Sequence, residues 1–144
     1  MTAPTSPAAA GRYVRAVLWD MDGTLMDSQP IWDESFLRRC RERGRTVTPE
    51  QVAGIAGASI ARTRELIAAT GATPSPQDPA TAEVFAQMAA DVEASVRVTP
   101  PILPGARRIT SMLSEIGLAQ VIVTSPRGAS SNRSLMRSAT CSSD

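Results

Sequence analysis

The sequence predicts an α/β fold in which a long helical segment separates two parallel strands. Two short apolar runs, Tyr13–Trp19 and Leu118–Val123, border polar loop residues, as is typical of buried strands. The residues between them repeat a helical pattern, and a connection of this length exceeds what a single crossover helix needs. We therefore expect an α/β core that carries an inserted all-helical segment.

Helical periodicity and capping residues predict five helices between the two strands. In the first, Trp32, Phe36 and Cys40 recur every four residues. In the longest, apolar side chains recur at the same spacing from Val84 to Val96. The first helix is predicted to begin at Pro30 and to end near Gly44. The second begins at Thr48-Pro49, the third spans Ile60–Ala69 and the fourth begins at Asp78-Pro79. The fifth runs from Ala106 to Gly117.

These patterns divide the chain into four predicted parts. After Val123 the only large apolar residues are Leu135 and Met136, so we expect no third core strand and interpret the C-terminal end as truncated or frame-shifted. The predicted parts are a disordered tail over residues 1–11, an incomplete core over 12–30 and 99–126, a helical cap over 31–98 and a Ser- and Arg-rich tail over 127–144.

The composition excludes several classes of function. The chain has 144 residues and a formal net charge of +1, which argues against a nucleic-acid-binding surface. It has no histidine, which excludes Ser-His-Asp and Cys-His nucleophile systems and His-containing zinc sites. Cys40 and Cys141 form no paired motif, and no signal peptide or membrane-spanning run is recognisable, so we expect a cytoplasmic protein.

Without histidine, catalysis by this chain would depend on carboxylates, hydroxyls, arginines and backbone amides, and the segment Asp20–Ser28 contains the candidate carboxylates. Asp20 and Asp22 stand two residues apart where the first strand meets a loop, and Gly23 allows a sharp turn. One carboxylate can attack a phosphorus atom while the other transfers the proton, with Mg²⁺ held between substrate and protein. Backbone amides at Gly23 and Thr24 can donate to phosphoryl oxygens. The pattern thus indicates phosphoryl transfer.

Two other interpretations of this segment compete with the catalytic one. A polar turn after a strand is the simplest alternative for the first four residues, and it stays open at this point. A calcium loop that starts at Asp20 would require Gly at its sixth position and Glu at its twelfth. The sequence has Leu25 and Ile31 there, which excludes the calcium loop.

Asp20–Ser28 resembles the first motif of the haloacid dehalogenase-like hydrolases, from its Asp-Gly-Thr-Leu core to its final Asp-Ser. With the residues that follow, up to Trp32, it is similar to the subgroup that has a helical cap after this motif. That subgroup includes sugar-phosphate phosphatases, phosphoglycolate phosphatase and β-phosphoglucomutase. The resemblance implies a Rossmann-like core, Asp20 as nucleophile, Asp22 as general acid and base, and both as Mg²⁺ ligands.

A second similarity covers residues 102–106, the helix after them and residues 121–125. It resembles the family's return from cap to core followed by its second motif. The resemblance implies that Thr124 donates its hydroxyl to a phosphoryl oxygen and that Ser125 belongs to the same phosphate-binding group. A plain strand-end hydroxyl is the alternative for Thr124. Together the similarities cover about residues 15–125.

The sequence also departs from the family pattern. The family has a later lysine and a later acidic motif, whereas this chain has no lysine and, after Glu115, only Asp144 as an acid. Arg127 could supply positive charge near the phosphate, although a guanidinium is a planar fork rather than a point charge. Arg62 and Arg64 could face the substrate from the cap, but a solvated helix face is the simpler expectation.

The function predicted from the sequence is Mg²⁺-dependent hydrolysis of a small phosphate monoester through an aspartyl-phosphate at Asp20. Among such monoesters, the sequence favours a sugar phosphate as the substrate. Its activity is expected to be impaired by the missing C-terminal half. The alternative is a non-catalytic fragment or a module that binds metal or phosphate. The predicted partner is a small phosphorylated metabolite, with no nucleic acid and no membrane, and the sequence leaves both the substrate and the oligomeric state open.

Overall fold

The computed structural model of the protein describes residues 14–123 and confirms the predicted α/β class. The predicted start of the first strand at Tyr13 and both predicted tails lie outside these residues. Within the described part no helix is long and apolar enough to cross a membrane. The elements are β1 (Ala16–Asp20), α1 (Gln29–Glu42), α2 (Pro49–Ala53), α3 (Ile60–Ala69), α4 (Pro79–Val98), α5 (Ala106–Glu115) and β2 (Ala119–Val123).

Strands β1 and β2 pair in parallel along their full length, and α5 packs against β2 on one side of this sheet. The Gln120 side chain donates to the Thr110 carbonyl at 2.9 Å and to the Ser114 hydroxyl at 2.8 Å, both on α5. It accepts from the Trp19 indole N–H at 2.9 Å. One glutamine therefore joins both strands to the helix.

Within residues 14–123 no element packs on the other face of the sheet. Side chains alternate along a strand, so Leu18 and Val121, which are register partners, point away from α5. Leu18 is 71% exposed and Val121 is 50% exposed. The sequence predicts that Val17 and Leu18 are both uncovered on one side. The structure leaves Leu18 uncovered, whereas Val17 is half-buried because it shares the face of Gln120.

Helices α1 to α4 form an all-helical cap with its own apolar core, as predicted. The four-residue spacing along α1 buries Phe36 and Cys40 completely, and burial raises the pKa of the Cys40 thiol. Trp32 stacks on Phe85 of α4 with 6.0 Å between ring centroids. The buried members of this core are Trp32, Phe36, Cys40, Ile55, Leu66, Ile67, Val84, Phe85, Met88 and Val92.

Side-chain caps explain where three of these helices begin. Thr48 forms a capping box with Gln51 at the start of α2. The Ser59 hydroxyl accepts from the Arg62 N–H at the start of α3, and the Asp78 carboxylate accepts from the N–H of residue 80 at the start of α4. These are local interactions, which is why the sequence predicts the starts of α2, α3 and α4 correctly.

An ionic cluster joins α1 to α4. Asp91 accepts from the Ser35 hydroxyl at 2.6 Å and from Arg39 at 2.7 Å, and it lies 2.6 Å from Arg38. Burial opposes ionisation of Asp91, but the hydrogen bonds from Ser35, Arg39 and Arg38 outweigh it, so the pKa of Asp91 lies below its usual 3.8. The charged form of Asp91 therefore stabilises the cap.

We expect Asp91→Asn to lower the free energy of unfolding by about 2 kcal/mol at neutral pH, because two arginines lose a charged acceptor. A carboxylate whose pKa is lowered on folding contributes stability above its unfolded pKa and loses it in acid. The difference between wild type and variant, measured by urea denaturation, should therefore shrink as the pH falls below about 4.

Glu93→Gln is the matched control on the same helix, since the Glu93–Arg97 pair is exposed and should contribute less than about 1 kcal/mol. A loss in Asp91→Asn that is no larger than the loss in Glu93→Gln would contradict the stabilising role of the cluster.

Candidate active site

Asp20 is the last residue of β1 and is exposed, so it stands at the carboxyl end of a parallel strand. Its register partner is Val123, the last residue of β2. Ligands of open α/β sheets bind at the carboxyl ends of the strands. The predicted nucleophile thus occupies the edge of the sheet where a ligand is expected.

The loop after Asp20 closes on itself through the Met21 carbonyl. That oxygen accepts from the N–H of Leu25 at 3.0 Å, of Met26 at 3.1 Å and of Thr24 at 3.4 Å. Gly23, at a φ of +76°, turns its N–H onto the Met26 carbonyl at 2.7 Å. A residue with a side chain would be strained at this positive φ.

This closure bears on the two predicted phosphate-binding amides. The N–H groups of Gly23 and Thr24 both donate inside the loop. The Gly23 N–H lies 2.7 Å from the Met26 carbonyl oxygen, and the Thr24 N–H lies 3.4 Å from the Met21 carbonyl oxygen. Thr24 itself is exposed. Their contact with a phosphoryl group stays a prediction, and the longer hydrogen bond of Thr24 is the easier of the two to exchange for a ligand.

Asp22, the predicted acid and base, is held by a residue to which the sequence assigns no role. The Ser28 hydroxyl donates to the Asp22 carboxylate (Oδ1) at 2.5 Å, and Ser28 is 3% exposed. Ser28 is also the N-cap of α1, yet its side chain makes no capping hydrogen bond. Thr48, Ser59 and Asp78 all use their side chains as caps. The hydroxyl of Ser28 serves Asp22 rather than its own helix.

The loop is also joined to the segment by which the chain leaves the cap. The Asp27 N–H donates to the Pro101 carbonyl at 2.9 Å, and the Leu103 N–H donates to the Leu25 carbonyl at 3.0 Å. Between these bonds lies an antiparallel bridge between Met26 and residue 102. The entry to the cap and the exit from it therefore pair with each other beside Asp22.

Thr124 and Ser125, the predicted phosphate ligands of the second motif, lie outside the described residues, as does Arg127. Their role in phosphate binding stays a prediction.

The two arginines of α3 differ in their surroundings. Arg62 pairs with Glu65 on an exposed helix face, in agreement with the simpler expectation. Arg64 is half-buried, and its Nε has no hydrogen-bond partner within residues 14–123.

Asp20 and Asp22 form a donor set that fits Mg²⁺. This ion takes one or two carboxylates and fills its other positions with water and substrate oxygen. No group of three or more His, Cys, Asp or Glu side chains that could hold a metal occurs among the residues that the structure describes. Water and substrate oxygen can fill the positions of the ion that the two carboxylates leave open.

We expect Ser28→Ala to destabilise the protein by about 1–3 kcal/mol, because the Asp22 carboxylate loses a buried donor. Ser59→Ala removes a capping hydroxyl at another helix and is the matched control, with an expected loss of about 1 kcal/mol.

The specific readout for Ser28→Ala is the carboxyl ¹³C resonance of Asp22, which should move in Ser28→Ala, stay unchanged in Ser59→Ala and return towards its wild-type position in Ser28→Thr. An Asp22 resonance that is the same in Ser28→Ala as in wild type would contradict the assigned hydrogen bond.

The chain is similar to known proteins in sequence and in fold. Residues 14–140 match the family model of the haloacid dehalogenase-like hydrolases. Over 118 residues the chain is 30% identical to hexitol phosphatase B of Escherichia coli K12, a match that covers 74% of this chain and 47% of the relative. The same protein of Escherichia coli O157:H7 matches equally well. The chain spans about half the length of these curated relatives.

Solved structures give the same fold. A Thermotoga maritima protein assigned as a β-phosphoglucomutase superposes on this chain with a TM-score of 0.56 at 21% identity. The superposition covers 76% of this chain and 49% of the Thermotoga maritima chain. A Clostridium difficile protein assigned as a phosphatase superposes on this chain with a TM-score of 0.61 at 19% identity. This superposition covers 81% of this chain and 51% of the Clostridium difficile chain. At these identities the likeness concerns the fold alone. The family model, the curated relatives and the α/β fold with its helical cap lead to one conclusion: the chain belongs to the haloacid dehalogenase-like hydrolases.

Proposed function

We propose that the protein is a Mg²⁺-dependent phosphatase that hydrolyses a small phosphate monoester, and that this monoester is a sugar phosphate. The observation that carries the proposal is the position of Asp20 at the carboxyl end of β1, with Asp22 two residues on and held by Ser28. Family membership supports phosphate ester hydrolysis, and the name of hexitol phosphatase B supports a polyol or sugar phosphate as the substrate class.

Asp20 is the nucleophile of the proposed reaction. A carboxylate oxygen of Asp20 attacks the phosphorus atom and forms an O–P bond, while the bond from phosphorus to the ester oxygen breaks. Water then attacks the phosphorus atom of the aspartyl-phosphate, and the bond to Asp20 breaks to release inorganic phosphate. Asp20 is exposed at the strand end, which leaves room for in-line approach of the ester.

Asp22 is the proposed general acid and base. It protonates the leaving ester oxygen in the first step and takes a proton from the attacking water in the second. The Ser28 hydroxyl positions this carboxylate from the start of α1, so Asp20 and Asp22 are held by different elements of the fold. Hydroxyls of Thr124 and Ser125 and the amides of Gly23 and Thr24 are the proposed phosphate ligands.

Asp20 and Asp22 are also the proposed ligands of Mg²⁺. When bound, this ion offsets the negative charge of the phosphoryl oxygens and so permits an anionic nucleophile to approach. The chain has no lysine that could share this task. The second candidate function, a module that binds metal or phosphate without turnover, rests on that absence.

The proposal is tested by release of inorganic phosphate from an aryl phosphate and from a hexitol phosphate in the presence of Mg²⁺. We expect Asp20→Asn to abolish turnover, because an amide is not a competent nucleophile, and Asp22→Asn to lower kcat by about 10²-fold or more. Asp27→Asn is the matched control, since its carboxylate lies in the same segment and, among the bonds within residues 14–123, accepts a 3.3 Å hydrogen bond from the Gln29 N–H.

Turnover that survives in Asp20→Asn would contradict the assigned nucleophile. A wild-type protein that binds phosphate with Mg²⁺ but releases none from either ester would establish the binding module instead.

Removal of the metal should have an equally clear effect. We expect EDTA to abolish phosphate release and added Mg²⁺ to restore it, because the charge of the phosphoryl group is otherwise left unscreened. Full activity in EDTA would show that the carboxylate pair acts without a metal.

A further inference from the structure

The first turns of α1 carry a polar pair that the proposed reaction does not use. The Gln29 side-chain amide (Nε2) donates to the Asp33 carboxylate (Oδ1) at 2.7 Å, and both residues are half-buried. Residues four positions apart share one side of a helix. Among the bonds of residues 14–123, this one leaves Gln29 Oε1, the second amide hydrogen and Asp33 Oδ2 available to a ligand.

The pair lies next to the candidate catalytic carboxylates. Ser28, which donates to Asp22 at 2.5 Å, directly precedes Gln29 in the chain. Asp33 stands about 7.5 Å along the helix axis from Ser28. An extended six-carbon chain is of similar length, so the ester group of a substrate bound at Asp20 can reach this pair.

An amide beside a carboxylate is suited to binding neighbouring hydroxyl groups. The amide oxygen of Gln29 and the carboxylate of Asp33 accept from hydroxyl hydrogens, and the amide N–H donates to a hydroxyl oxygen. A carbon chain without hydroxyls would displace water from these groups and return no hydrogen bond, which costs binding free energy. The pair therefore favours a hydroxyl-rich ester group.

The charge of Asp33 narrows the substrate class further. A carboxylate repels a second anionic group on the substrate, so this side of the site favours an ester whose remaining part is uncharged. The two arginines that follow on α1, Arg38 and Arg39, are bound to Asp91. They are thus already engaged with a carboxylate of the cap.

We propose that Gln29 and Asp33 bind hydroxyl groups of the substrate and so select an uncharged, polyhydroxylated ester, such as a hexitol phosphate, over esters that carry a second anionic group. This inference rests on the proposed function, because it assigns the specificity of the same site.

Glu83 and Gln87 on α4 form the matched control pair. The Gln87 amide donates to the Glu83 carboxylate with the same four-residue spacing, but this bond is exposed and 3.1 Å long. It belongs to the last helix of the cap and not to the turn beside Asp22. A pair that only stabilises its helix would behave like this control.

The first test compares glucitol 6-phosphate with hexyl phosphate, which has the same carbon chain without the hydroxyls, in the presence of Mg²⁺. We expect Asp33→Ala to lower kcat/KM for glucitol 6-phosphate by about tenfold or more, chiefly through KM, and to leave that for hexyl phosphate unchanged. Glu83→Ala should leave both values unchanged. A ratio of the two kcat/KM values that is equal in Asp33→Ala and in wild type would overturn the proposal.

The charge of Asp33 is tested with 2-phosphoglycolate, whose non-phosphate part is a carboxylate. We expect Asp33→Asn to raise kcat/KM for 2-phosphoglycolate by about threefold or more relative to glucitol 6-phosphate, because the repulsion is removed. Glu83→Gln should not change this preference. An equal preference in Asp33→Asn and in wild type would contradict selection by charge.

A further measurement does not depend on turnover. The side-chain amide ¹H–¹⁵N resonances of Gln29 are followed in Asp20→Asn, in which the ester is bound but not consumed. We expect glucitol 6-phosphate to shift them and hexyl phosphate to leave them in place, while the amide resonances of Gln87 stay unchanged with both. Gln29 resonances that do not move, or that move equally with both esters, would overturn the proposal.

The two measurements separate this inference from the proposed function. A wild-type protein that hydrolyses none of these esters would contradict the phosphatase activity, whereas the Gln29 resonances would still decide whether the pair binds a polyol phosphate.

Discussion

Two backbone hydrogen bonds, from the Asp27 N–H to the Pro101 carbonyl and from the Leu103 N–H to the Leu25 carbonyl, bring the ends of the helical cap together. Because the chain leaves the core and returns to it at one point, helices α1 to α4 are accommodated without separating β1 from β2. The sheet register pairs residues about a hundred positions apart, and the cost of closing so long a connection grows only slowly with its length. The parallel sheet, and with it the place of Asp20, depends on this pairing.

The same pairing holds the predicted catalytic loop between two parts of the fold. Asp20 belongs to β1, whereas Asp22 is held by Ser28 at the first turn of α1. The loop after Asp20 is closed by the Met21 carbonyl and by the positive φ of Gly23. The distance and orientation of the two carboxylates are consequently set by how the strand and the helix meet, which is the arrangement that a nucleophile and a separate acid require.

Local patterns predicted much of this structure, and non-local contacts did not follow from them. The spacing of Trp32, Phe36 and Cys40 indicated the buried face of α1 because side chains four residues apart share a side of a helix. No sequence pattern assigned a role to Ser28, whose hydroxyl donates to Asp22 and does not cap its own helix. The link from Gln120 to Trp19 joins residues distant in sequence, as do the contacts of Asp91. The amides of Gly23 and Thr24 indicated phosphate, but their use in closing the loop depends on a backbone path that the sequence does not show.

The proposed mechanism depends on transfer of the phosphoryl group to Asp20. The most direct test is to mix the protein with a ³²P-labelled hexitol phosphate and Mg²⁺, quench in acid within the first turnover, and locate the label by peptide mapping. An aspartyl-phosphate at Asp20 predicts an acid-stable and base-labile label on the peptide that contains this residue. A label on another residue, or turnover with no labelled protein at any time, would contradict it.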